Sequence, residues 1–269
     1  MYPNIDHQTN KPLLDVSHLT VRYNGHNALE DVTFHLHEGE RIAIVGPNGA
    51  GKSTLIKVIA GVLQPNSGEV NISGSHPDTH VCIGYIPQRN QVDWNFPVSV
   101  ADVVMMGRSA KLGPFNWPHK KDWEMVNHAL ATVEMNQLAS RQINQLSGGQ
   151  QQRMFIARAI AQESEIMLMD EPLTGLDTPS QEGILNLLDR LKAERVTVMV
   201  ATHDLDQAAE NFDRILLINH RLIAFDVPQN VLHTDNLLQA YGGRLKPVDG
   251  QNILNIDDCC DEGEHDHVH

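Results

Sequence analysis

Gly46 to Thr54, Gly-Pro-Asn-Gly-Ala-Gly-Lys-Ser-Thr, fits the pattern G-x-x-x-x-G-K-[ST] and sits in the context that pattern requires. Arg41-Ile-Ala-Ile-Val45 before it reads as a short buried strand, and Lys52 to Leu63 after it carries apolar residues at helical spacing. A strand that passes through such a loop into a helix is the phosphate-binding unit of an α/β fold. Gly46, Gly49 and Gly51 let the backbone close around an anion, and Pro47, Asn48 and Ala50 complete the turn. The helix start that follows adds its dipole. Lys52 supplies charge for terminal phosphates, and the hydroxyl of Ser53, followed by Thr54, is placed to ligate magnesium.

Two further stretches carry chemistry. Ile166-Met-Leu-Met-Asp170-Glu171 is an apolar run ending in two carboxylates, the pattern of a buried parallel strand emerging at its carboxyl edge. Asp170 there suits a magnesium ion or its surroundings, and Glu171 suits orienting and deprotonating a water. By itself the pair is equally an acidic strand end before the Pro172 turn. Leu146-Ser-Gly-Gly-Gln150 precedes a strongly helical stretch through Ala161, so the Ser147 hydroxyl and free amides of Gly148, Gly149 and Gln150 collect at a helix start. One chain therefore carries two separate sets of phosphate-binding groups.

The order of these motifs resembles an ATP-binding cassette, the motor subunit of an ABC transporter, over most of the chain. Gly46 to Thr54 matches the Walker A loop, Leu146 to Gln150 the signature, Asp170 and Glu171 the Walker B pair, and Thr174-Gly-Leu-Asp177 the D-loop. Tyr23 matches the aromatic that stacks on adenine, Gln88 the glutamine linking nucleotide to membrane subunits, and His203 the switch histidine. Outside that resemblance each has a plainer reading. Tyr23 alternates with Val21 as a half-buried strand residue would, Gln88 suits a strand-end amide, and His203 suits a capping residue after the apolar run Val196 to Ala201.

The resemblance implies the fold class: a P-loop NTPase core with a parallel sheet, an antiparallel β subdomain and an inserted helical subdomain. It also implies ATP and magnesium as cofactors, with Ser53, Gln88 and Asp170 at the metal, Glu171, His203 and Gln88 in catalysis, and a head-to-tail homodimer. In that dimer the signature residues of one subunit meet ATP held by the other, and Asp177 lies at the seam. The expected partners are two integral-membrane permease subunits and, indirectly, an extracytoplasmic metal-binding protein, with the chain peripheral on the cytoplasmic membrane face. Gln88 through Val92-Asp93-Trp94-Asn95-Phe96-Pro97 to Asp102 and Gly107-Arg108, with Gln150-Gln-Gln-Arg153, resembles cassettes of manganese, zinc and iron importers. Alternatives are an importer for another solute such as a siderophore, and a soluble non-transport cassette. The latter generally has tandem cassettes or a long coiled-coil insertion, and this chain has neither.

Charge and hydropathy narrow the class further. Twenty basic against 34 acidic residues give a formal net charge of −14, which argues against nucleic acid as a partner, since phosphate backbones call for concentrated Lys and Arg. No apolar run approaches a membrane span, and three cysteines make no disulfide framework. The chain divides into a flexible start at 1–12, a cassette at 13–245 and an acidic tail at 246–269. Within the cassette, alternating residues such as Val32, Phe34 and Leu36 predict antiparallel strands. Strands are also predicted at 69–73 and 81–87, and a helical subdomain over 99–145 begins at Ser99 as N-cap. The tail lacks basic residues beyond Lys246 and has the composition of disorder, yet Cys259, Cys260, His265, His267 and His269 are transition-metal donors. A solvated appendage and a metal store or sensor both fit it.

Overall fold

The computed structural model describes residues 12–72, 82–112 and 116–242, and the backbone of a short hairpin, Leu245–Pro247 with Leu254–Ile256. Strands β1 (Leu14–Tyr23) and β2 (His26–Leu36) pair antiparallel, and β4 (Ser67–Ile72) joins the other edge of β1. Along β2 the residues Val32, Phe34 and Leu36 are buried while Asp31, Thr33 and His35 face outward, the period-two pattern of a sheet with one wet face. The phosphate loop lies between β3 (Arg41–Val45) and α1 (Lys52–Ile59). α1 is shorter than the apolar spacing suggests. Gly61, at φ 72°, reverses the chain, its N–H bonding the Val58 carbonyl while Val62 N–H bonds Lys57. That pair of bonds closes the last turn and stops the helix before Leu63.

Beyond β5 (Ile83–Ile86) come the helices α2 (Val100–Met106), α3 (Ser109–Leu112), α4 (Lys120–Thr132) and α5 (Gly148–Ala161). Ser99 caps α2 as its sequence suggests: its Oγ accepts from Asp102 N–H at 3.2 Å while its own N–H donates to the Asp102 carboxylate at 2.9 Å. The chain then alternates β6 (Ile166–Asp170), α6 (Thr178–Ala193), β7 (Thr197–Ala201), α7 (Leu205–Asn211), β8 (Arg214–Asn219) and β9 (Arg221–Asp226). Helices α8 (Pro228–Val231) and α9 (Thr234–Tyr241) follow, and then the hairpin, β10 and β11.

The larger sheet runs β5-β6-β7-β3-β8-β9, parallel except for β9. Its central strands are buried on both faces, so alternate side chains serve two cores. Ile42, Ile44, Leu168 and Met199 pack with α1 and the antiparallel sheet, whereas Ala43, Val45, Met167, Met169 and Val198 pack with the helical layer. Truncating Ile42, Ile44 or Leu168 to Ala costs about 2–5 kcal/mol. The fold is thus the expected one: a P-loop core, an antiparallel sheet on one side and helices inserted between β5 and β6. The site matters most here, because β5, β6, β7 and β3 are neighbours running the same way. Their carboxyl ends deliver Gln88, Glu171, His203 and the phosphate loop to one edge of the sheet.

Candidate functional site: a split nucleotide site

The phosphate loop is held by two close approaches that only glycine permits. A Cβ on Gly51, at φ 97°, would lie 2.4 Å from the Ala28 carbonyl oxygen, and one on Gly46 would lie 2.0 Å from that of Ile218. The turn after β8 supports the loop from outside, with His220 N–H donating to the Ala50 carbonyl at 2.9 Å. Within the loop, Lys52 Nζ donates to the carbonyls of Gly46 at 2.7 Å and Pro47 at 3.0 Å. Its head is therefore tied across the cradle. Burial draws its pKa below the ordinary lysine value, opposed by the Glu171 and Asp170 carboxylates.

Ser53 Oγ donates to Asp170 Oδ1 at 2.9 Å, while Asp170 Oδ2 is buried with no hydrogen-bond partner among the described residues. Burial pushes the Asp170 carboxyl up, with the Ser53 hydrogen bond and the charges of Lys57 and Lys52 opposing it and Glu171 adding to it. A hydroxyl and a carboxylate, one oxygen of which has no protein donor, are the hard oxygen donors magnesium takes. The residues fit the ion, and the cradle closed by Gly46 and Gly51 fits a phosphate chain.

The next residues stand around this centre. Glu171 leaves β6 at φ 50°, its N–H bonding Ala201 of the neighbouring strand at 3.1 Å, and the Thr174 hydroxyl reaches its carboxylate at 3.5 Å. His203 is exposed just past β7, and Gln88 starts the 3-10 turn Arg89–Gln91 beyond β5. Tyr23 closes β1 and is 47% exposed, accessible for stacking.

The signature lies elsewhere on the chain. Ser147 caps α5, its Oγ accepting from Gln150 N–H at 3.4 Å while its N–H donates to Gln150 Oε1 at 3.0 Å. The amides of Gly148 and Gly149 occupy the helix's first turn, where no intrahelical acceptor exists, and the Ser147 side chain is exposed. Asp177 occupies the N-cap position of α6 without making a side-chain cap hydrogen bond, so its exposed carboxylate is available to another surface. The tail donors Cys259, Cys260, His265, His267 and His269, and residues 1–11, lie outside the described residues.

Residues 29–174 match the ABC transporter family profile. The chain belongs to the ABC transporter family. It is an ATP-binding cassette. It is 48% identical over 233 residues to the manganese transport system ATP-binding protein MntB of Bacillus subtilis, covering 86% of this chain and 93% of that one. To the zinc transport system ATP-binding protein TroB of Treponema pallidum it is 43% identical over 233 residues, covering 86% and 88%. Its fold superposes with a TM-score of 0.77 on an inward-facing structure of a metal-chelate type ABC transporter, at 32% identity over 86% of this chain and 89% of that one.

Two features of the cassette were not readable as contacts in the sequence. Arg108, 5% exposed, bonds the Asp122 carboxylate at 3.1 Å, the Ala161 carbonyl at 2.9 Å and the Glu163 carboxylate at 2.7 Å, with Lys111 also on Glu163. This network joins the start of α4 to the end of α5. Burial alone would lower the Arg108 pKa, but its two carboxylate partners outweigh that and raise it. The other feature is a hydrogen bond from Arg89 to Gln151. The only signal for either was the spacing Gly107-Arg108 and the run Gln150-Gln-Gln-Arg153, which indicates a relative and not a contact.

Proposed function

We propose that the chain is the ATP-hydrolysing subunit of an importer for a divalent transition metal, with manganese the first ion to test and zinc and iron next. It works as a homodimer on the cytoplasmic face of two permease subunits that are served by an extracytoplasmic metal-binding protein. One observation carries the hydrolytic part. The chain holds buried Lys52 and Asp170 beside half-buried Ser53, while its second phosphate-binding surface, at Ser147, is exposed and belongs to a different element. Two copies placed head to tail would set each Ser147 against the other's phosphate loop. The metal part is supported by the relatives named above and by the Gln88-to-Arg108 segment.

When bound, ATP supplies the phosphoanhydride and magnesium the charge that neutralises it. Lys52 and the loop amides from Gly46 to Thr54 hold the terminal phosphates, and Tyr23 stacks on the base. Ser53, Asp170 and Gln88 would hold magnesium. Glu171 orients the attacking water and accepts its proton, and His203 senses the terminal phosphate. Across the dimer, Ser147, Gly148, Gly149 and Gln150 complete the phosphate site and Asp177 joins the seam.

Among the described residues no helix is long and apolar enough to cross a membrane, so the spans are assigned to the permease. A surface pocket of about 480 Å³ on the helical layer, lined by Met105, Met106, Leu112, Trp117 and Trp123 together with Asp102, supports this layer as the permease-facing side. The test is uptake by the cassette reconstituted with its permease in liposomes. ATP-dependent accumulation of manganese, zinc or iron, lost with Glu171→Gln, is the expected result. Accumulation of an unrelated solute with none of these metals would overturn the substrate reading.

A further inference from the structure

The turn that carries Gln88 is fastened to the signature helix at two points one helical turn apart. Arg89 Nε donates to Gln151 Oε1 at 2.6 Å, and Gln151 is 5% exposed in the first turns of α5. Four residues further along α5, Phe155 meets Trp94 edge to face, with ring centroids 5.8 Å apart. Residues four apart lie on one face of a helix, so the two contacts form a straight seam. The Trp94 indole N–H also donates to the Arg89 carbonyl at 2.9 Å, which ties the two attachment points to each other. The guanidinium reaches the start of α5: a Cβ built on Gly148 would lie 3.0 Å from Arg89 Nη1 and 3.0 Å from a methyl carbon of Leu176.

We infer that Arg89 and Trp94 clip the Gln88 turn to α5, so that Gln88 of one nucleotide site and Ser147 of the other move as one body, with Arg89 the positioning residue. The inference rests on the reading of Gln88 and Ser147 as site residues under the proposed function. Its physical content is that a buried amide acceptor and a charged donor form a directional bond. The aromatic pair fixes the turn's distance from the helix. The segment between them is then too short to let Gln88 shift unless α5 shifts with it. Arg89 touches no reacting atom here and acts through the residue before it.

The test uses the whole transporter in liposomes, with kcat and KM for ATP measured on Arg89→Met, Arg89→Lys, Gln151→Leu and Gln88→Ala, and on the double variant Gln88→Ala/Arg89→Met. Misplacing a group by an ångström is enough to cost a decade or more in rate, so Arg89→Met is expected to lower kcat about 10-fold with KM moved less than about 3-fold. Arg89→Lys, which keeps a donor, recovers most of the loss. In the Gln88→Ala background, Arg89→Met should cost less than about 2-fold more, because the residue it positions is gone. Losses that multiply would show that Arg89 acts independently of Gln88 and would overturn the clip. A slow Gln88→Ala beside a wild-type Arg89→Met overturns the clip alone. A wild-type Gln88→Ala overturns the role of Gln88 and the clip with it. Thermal melting accompanies each variant. If Arg89→Met fails to fold, Gln151→Leu removes the same hydrogen bond from the helix side, and the same comparison is made with it.

Discussion

The two proposed phosphate-binding surfaces of this chain differ in how complete each is by itself. Around the loop, Lys52 and Asp170 are 6% and 1% exposed, and the Lys52 ammonium and the Ser53 hydroxyl already hold directed hydrogen bonds. At the signature the Ser147 side chain is exposed and holds the reciprocal bond with Gln150, while Gly148 is half-buried and Gly149 buried behind it. A buried charge acts at short range in a medium of low effective dielectric, whereas an exposed helix start is screened until a second surface excludes water. Under the proposed function, nucleotide binding is accordingly assigned to the loop within one chain and the signature's action to the assembled dimer.

The sharpest way to break that contrast is to damage each half in turn. Lys52→Ala and Ser147→Arg should both abolish hydrolysis by the assembled transporter. In the isolated chain, Lys52→Ala should weaken nucleotide binding at least about 10-fold, whereas Ser147→Arg should change it by less than about 3-fold. Equal effects in calorimetric titrations of the two isolated chains would erase the distinction. Next in size, Glu171→Gln should cut turnover at least about 100-fold while keeping ATP binding, so that ATP-bound dimers accumulate in gel filtration. Near-normal turnover removes Glu171 from catalysis.

A smaller effect concerns the scaffold between the halves. Arg108→Met removes the partner shared by the buried Asp122 carboxylate, which keeps the His119 N–H, and the half-buried Glu163 carboxylate, which keeps Lys111. That loss of charged hydrogen bonds should cost about 1–3 kcal/mol, read by denaturant melts. The pH dependence has a definite sign. Burial would raise Glu163, but its bonds from Lys111 and Arg108 outweigh it. The His119 N–H holds Asp122 down against burial, helped by Arg108. Both carboxyls lie below the ordinary carboxylate range, so the unfolded chain binds more protons there. Their contribution is full above the unfolded values and is lost as pH falls through the folded ones. Wild type should lose stability on acidification across that window, and Arg108→Met should lose less. Parallel acid limbs would contradict the network's role. Smallest of all, Trp117→Ser, at a residue 85% exposed, should leave the isolated cassette's stability within about 0.5 kcal/mol while weakening co-purification with the permease.

What the sequence made legible follows from locality. Gly46 to Thr54, Ser147 to Gln150 and the Ser99 cap are contiguous motifs whose geometry is set by neighbours in the chain, and each takes its expected local form. The alternation in β2 and the apolar runs of β3, β6 and β7 likewise state how many of their faces are buried. The end of α1 was overestimated because apolar spacing continues past Ile59 while Gly61 reverses the backbone. The contacts of Arg108 with Asp122 and Glu163, and of Arg89 with Gln151, join residues 14, 55 and 62 positions apart. No local pattern records such pairings, because they exist only after α2, α4 and α5 pack. The same holds for the conjunction of Ser53 with Asp170, 117 residues apart, which required the order of strands in the sheet.

The central claim is that each site is completed by the other subunit. It is tested directly in mixed dimers that join one Ser147→Arg subunit to one Lys52→Ala subunit, purified through two different tags with the permease. If the sites are shared, both defects fall in one site and the other has an intact loop and an intact signature. The mixed dimer should then retain one occluded ATP and measurable hydrolysis, while both parent homodimers have none. If each site is built within one subunit, every site in the mixed dimer carries a defect. No occluded ATP and no hydrolysis would contradict the account.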